Sequence, residues 1–197
     1  MKSLFKKYDG QTINIVGSGS SIRYLNKDYF IDGPVVALNL AIVSVEKLDL
    51  LNPIYSMQKD KGRYVKTKNS RLGVSNPTCD RALGCGEICG PCPTKVRPKK
   101  ATLLLDMNDS ACCFPDYNPR ILINQGGLGL KWDMASFFVA LRLGGFFGCL
   151  KYRIISCDTI AGIDNVYQYR GQHRISKVFL PTINYEFITP TKKDGAK

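Results

Sequence analysis

The chain has 197 residues, 44% of them hydrophobic, an ordinary share for a globular protein and enough for one domain with a substantial core. Its 28 Lys and Arg outnumber 16 Asp and Glu, and the formal charge of +12 favours polyanionic partners: nucleic acid, acidic glycans or an anionic membrane. The plainer reading of the same charge is a basic, soluble surface. No apolar run approaches the roughly 18–20 residues that span a bilayer, and the start MKSLFKKYDGQ has no continuous apolar segment and no small-residue cleavage site. The expectation is a soluble, cytoplasmic protein, in the host cytoplasm if it is viral, with no membrane span.

In chain order, Met1–Gly10 is a basic lead-in with Lys2, Lys6 and Lys7. Ile13–Val16 is a short strand, apolar on both faces as in a buried parallel sheet. Gly17, Ser18, Gly19, Ser20 and Ser21 form a turn into Ile22–Asp28, a short helix or turn with Ile22 and Leu25 inward, and Asp32-Gly33-Pro34 is a break. A glycine turn between strand and helix lets backbone N–H groups and serine hydroxyls approach an anion, so a phosphate-bearing ligand is expected there. A tight turn without a ligand is the alternative. Val35–Leu38 is the second strand, with Asn39 at its C-terminal end, where open α/β sheets bind ligands. A helical face follows through Ile42, Val45, Leu48 and Leu51, then a third strand, Ile54–Met57, and Gln58-Lys59-Asp60.

Between Lys59 and Lys100 eleven basic side chains stand against three acidic ones, and apolar periodicity is poor. Residues 61–100 therefore read as an insertion held by something other than a core. Cys79, Cys85, Cys89 and Cys92 follow the spacing C-x5-C-x3-C-x2-C, with Gly84, Gly86, Gly90 and Pro91 at the turns. Four thiolates in so short a span can close a tetrahedral site, and Zn is the default metal. Bound Zn would supply folding energy that a polar loop lacks. Unligated reduced thiols and an iron–sulfur cluster are the alternatives, and Cys112-Cys113 can replace one ligand.

Ala101–Leu105 is a further strand, followed by Asp106, Asn108 and Asp109, and Arg120–Asn124 is another, ending at Gln125-Gly126-Gly127. Trp132–Leu143 is the strongest helix, with Met134, Phe137, Phe138 and Leu141 on a core-facing stripe and Ser136 within reach of a ligand phosphate. Tyr152–Cys157 is a buried strand that delivers Asp158 at its end. The tail carries His173, the sole histidine, between Arg170 and Arg174. It can act as a general base or be an ordinary surface histidine. The two arginines suit a diphosphate or an acceptor phosphate. Thr191–Lys197 reads as a disordered end.

The turn Gly-Ser-Gly-x-Ser after strand one, Asn39 after strand two, Asp60 after strand three, and later Ala140-Leu141-Arg142-Leu143-Gly144 followed by a strand and Asp158 resemble the bacterial sialyltransferase and motility-associated-factor type of glycosyltransferases. Ser20 stands where that pattern has proline, and Ser156-Cys157 where it has a glycine-containing step. The resemblance implies a single Rossmann-like α/β domain over 1–197, mainly parallel, with the Cys-rich insertion within it. It implies transfer of a sugar from a nucleotide-sugar donor to an acceptor hydroxyl. Gly17–Ser21 would hold the donor phosphate, Asn39 and Asp60 the nucleoside, Asp158 would line the cleft and His173 would be the base. Charge suggests nucleic acid, such as hydroxymethylated DNA, as acceptor. Two other readings stay open. One is a non-catalytic, zinc-stabilised nucleic-acid-binding protein. The other is a nucleotide-dependent transferase such as a pyrophosphokinase, with Asp106, Asp109 and Asp158 around a divalent cation such as Mg²⁺.

Overall fold

Among the described residues, seven strands of four or five residues, all parallel, form one sheet. The computed structural model describes residues 2–58, 96–106, 114, 116–124, 128, 136–161 and 180–192. The strands are β1 (Thr12–Val16), β2 (Val35–Leu38), β3 (Ile54–Gln58), β4 (Thr102–Asp106), β5 (Arg120–Ile123), β6 (Lys151–Ile155) and β7 (Asn184–Ile188). Their order across the sheet is β5-β4-β3-β2-β1-β6-β7, and every neighbouring pair is parallel. The Rossmann-like α/β expectation therefore holds for the described residues. Residues 61–95, which include the four cysteines of the insertion, lie outside them.

Alternation along each strand divides the core into two layers. Ile13, Ile15, Val36, Leu38, Tyr55, Met57, Leu104 and Ile154 pack with Phe137, Leu143 and Phe147, contributed by and just beyond helix α2 (Ser136–Phe146). Val16, Val35, Ala37 and Ile155 pack with Ala41, Ile42 and Val45 of helix α1 (Ala41–Val45). A third, one-turn helix, α3 (Asp158–Ala161), follows β6. The aromatics Phe137 and Phe138 are buried, as expected of a core-facing stripe, whereas Trp132 and Met134 lie outside the described residues.

Three local expectations change or sharpen. Ile22–Asp28, expected as a short helix or turn, resolves into two 3-10 turns, Ser20–Tyr24 and Lys27–Tyr29. Asn26 interrupts them: its Oδ1 accepts the Asp28 N–H at 2.9 Å, the local competition by which short amides end helices. The face through Ile42 and Val45 stops at Leu48, because Asp49 takes a left-handed φ of 48°, and Leu51 is fully exposed. The basic lead-in belongs to the fold: the N–H groups of Lys6, Tyr8 and Gly10 donate to the carbonyls of Phe146, Phe147 and Gly148 at 2.9–3.0 Å. Leu4 and Tyr8 are buried, and the Tyr8 and Tyr55 hydroxyls meet at 2.6 Å.

Strand β7 is an addition to the elements read from the sequence. It is a half-exposed edge, with Arg153 of β6 opposite Glu186 and their side chains 2.8 Å apart. At the end of β3, the Gln58 side chain grips the returning chain. Its Oε1 accepts the Val96 N–H at 2.9 Å, and its Nε2 donates to the Val96 carbonyl at 2.5 Å and to Ser56 Oγ at 2.9 Å. From there the chain crosses to β4, where the Glu46 carboxylate accepts the N–H groups of Lys99, Lys100 and Ala101 at 2.8–3.1 Å.

Candidate functional site

Strand order locates the crevice. From β1 the chain adds β2, β3, β4 and β5 in one direction, then returns to place β6 and β7 on the other side of β1. Beyond the carboxyl ends of β1 and β6 the connections therefore diverge, which is where open parallel sheets bind ligands. The turn Gly17–Ser21 leaves β1 at this point, and Ser156, Cys157 and Asp158 leave β6 beside it.

The two turns are fastened to each other. Gly17 N–H donates to the Ile155 carbonyl at 2.8 Å, Gly19 N–H to the Ser156 carbonyl at 2.8 Å, and Ser21 N–H to Asp158 Oδ2 at 2.6 Å. Ser20 Oγ donates to Oδ2 at 3.1 Å and Ser21 Oγ to Oδ1 at 2.7 Å. Asp158 is only 1% exposed, so a buried carboxylate is matched by three donors, the condition for keeping such a charge in the interior. Both glycines are required by this proximity. A Cβ on Gly17 would stand 2.6 Å from Cys157 Sγ, and one on Gly19 would stand 2.6 Å from Asp158 Oδ2. The alternate residues 17, 19 and 21 thus face β6, and Ser18 between them is exposed.

Asn39 ends β2 in a left-handed conformation, φ 49°, with its N–H donating to the Met57 carbonyl at 2.9 Å. Its Nδ2 reaches Ser136 Oγ, the first residue of α2, at a long 3.4 Å. The second strand end is thereby joined to the helix that covers β1, β2 and β3. Ser156 is also left-handed, φ 52°, and its N–H donates to the Ile188 carbonyl, linking the ends of β6 and β7. Its Oγ is buried without a hydrogen-bond partner among the described residues. The Cys157 thiol is pushed up to about 12, first by burial and then by the Asp158 charge, while the Gly17 N–H pulls the other way. It is a neutral core thiol at physiological pH, neither a nucleophile nor a ready metal ligand.

Of the residues singled out from the sequence, Gly17, Ser18, Gly19, Ser20, Ser21, Asn39 and Asp158 lie along one sheet edge, and the turn and Asp158 are in direct contact. Asp60, Cys79, Cys85, Cys89, Cys92, Arg170, His173 and Arg174 lie outside the described residues, as does Asp109; of Asp106 the strand position is described. Among the described residues no three His, Cys, Asp or Glu side chains come together as a metal site. Ser156 was not anticipated. The signal available was its position between an apolar strand and an aspartate, where the resembled pattern has glycine. No known family model matches this chain, and no curated protein sequence aligns with it significantly.

Proposed function

We propose that the chain is a nucleotide-sugar-dependent glycosyltransferase whose donor lies at the carboxyl edge of β1, β2 and β6. The observation that carries this reading is the coincidence of the strand-order switch with the glycine turn, with Asn39 one strand away. In this reading Asp158 is a positioning residue. Its carboxylate occupies the Ser20 and Ser21 donors and holds the turn so that Ser18 meets the donor. The nucleoside lies toward Asn39, Asp60 and Ser136.

His173 takes the proton of the acceptor hydroxyl, and the freed oxygen attacks the anomeric carbon. The bond from that carbon to the donor phosphate breaks, and the leaving nucleotide keeps the electron pair. Arg170 and Arg174 neutralise the leaving phosphate. A divalent cation such as Mg²⁺ would supply the same neutralising charge when bound. Cys79, Cys85, Cys89 and Cys92 would hold structural Zn, because four soft thiolates suit that metal and the insertion is poor in core-forming residues. The charge of +12 makes a polyanion such as hydroxymethylated DNA the favoured acceptor.

A thermal-shift screen of nucleoside mono- and diphosphate sugars tests the donor. A hit raises the melting temperature through binding linkage, and the stabilised donor then enters a transfer assay. His173→Ala should lower the transfer rate about 10²–10⁴-fold with donor stabilisation unchanged. Absence of any nucleotide-dependent stabilisation would overturn the reading. The same charge favours a second one, a zinc-stabilised nucleic-acid binder without transfer, which predicts salt-sensitive DNA or RNA affinity and no donor.

A further inference from the structure

The opposite end of the molecule carries an exposed apolar and basic corner. Helix α2 starts beside Asn39 and runs away from the candidate site, and residues 6–10 are bonded to the carbonyls of Phe146, Phe147 and Gly148 at its far end. The Leu150 N–H donates to the Gln11 carbonyl at 3.0 Å, just before β1 and β6 begin. Here Phe5 is 59% exposed and Leu150 68% exposed. Lys2, Lys6 and Lys7 are exposed on the segment that carries Phe5, Lys151 is the exposed residue next to Leu150, and Asp9 is the exposed acid of the lead-in. The Phe5 ring meets Phe146 edge-on at 5.4 Å, and the Lys6 Nζ lies 6.0 Å from the Phe5 ring. Lys6 holds a left-handed φ of 51°, a conformation uncommon for a side chain of its size.

We propose that this corner docks on an anionic lipid surface, with Phe5 and Leu150 entering the headgroup layer and the four lysines meeting lipid phosphates and carboxylates. Apolar tips ringed by ammonium groups are the composition that binds such an interface. Lysines at the C-terminal end of α2 also satisfy the helix dipole, but that leaves the exposed Phe5 and Leu150 unexplained. A nucleic acid would use the lysines and could stack on an open aromatic face. It has no use for an aliphatic Leu150, and Phe5 already turns toward Phe146. Docked by this corner, the protein would present the carboxyl edge of the sheet away from the membrane.

The test is co-sedimentation of the full chain with vesicles of phosphatidylcholine alone and with about one-third phosphatidylserine, at low and physiological salt. Binding is expected to the anionic vesicles only and to weaken with salt. The pair Lys6→Glu and Lys7→Glu together should weaken it about tenfold or more. Leu150→Ser and Phe5→Ser should each weaken it severalfold with duplex DNA affinity unchanged; both positions are exposed, and circular dichroism checks their folding. Three results would overturn the proposal: no binding to anionic vesicles at low salt, binding that ignores all these substitutions, or lysine-dependent DNA binding with Phe5→Ser and Leu150→Ser vesicle binding intact.

Discussion

Asp158 gives the glycine turn the negative charge that a bound anion would otherwise bring. Asp158→Ala would leave the Ser21 N–H and two hydroxyls buried beside an empty space, and should lower unfolding free energy by about 1–3 kcal/mol, read as a lower urea midpoint. Gly19→Ala should do comparable damage for a different reason, since its Cβ must displace the Asp158 carboxylate or the Ser156 carbonyl. Pairing the two substitutions should give less than the sum, because both open the same contact. Burial pushes the Cys149 thiol, like that of Cys157, up to about 12 from an ordinary value of 9.0. Folded thiols that resist ionisation stabilise the protein fully below the unfolded value. That contribution is lost as pH rises from about 9 to about 12. Cys149→Ala with Cys157→Ala should flatten the alkaline decline measured by denaturant titration, though each also removes some packing.

At the scale of elements, the sheet was legible because most interior strands, β3 (IYSMQ) excepted, are short Val-, Ile- or Leu-containing runs followed by a turn. Ile13–Val16, Val35–Leu38, Ala101–Leu105 and Tyr152–Cys157 all fall within a residue or two of β1, β2, β4 and β6. β7 escaped because Asn184 and Glu186 interrupt its apolar pattern, and an edge strand has one side to satisfy. The lead-in escaped because its lysines mask two core residues, Leu4 and Tyr8, whose partners are far along the chain. The site was legible to the same extent. Glycine spacing announced a close approach, but the object approached was Asp158, a contact across 137 residues that no local pattern encodes. Gln58 was another such case, a polar residue at a strand end whose importance depends on a residue 38 positions later. Gln58→Leu should cost about 1–3 kcal/mol by stranding both backbone groups of Val96, measurable as a drop in the unfolding midpoint.

For the whole molecule, charge and connectivity work together. The formal charge is +12, so salt should weaken any polyanion binding steeply, whichever surface binds. No helix of the described residues is long and apolar enough to cross a membrane. The Gln58–Val96 clasp has a consequence for how such a protein can vary. Since the chain departs from Gln58 and is caught again at Val96, the framework itself holds together the two ends of whatever segment lies between them. Closing a longer loop then costs only about 0.6 kcal/mol for each doubling of length. The strand end of β3 is accordingly a permissive graft point. A shorter linker, or a foreign module with neighbouring termini, should be accepted there with the parallel sheet retained.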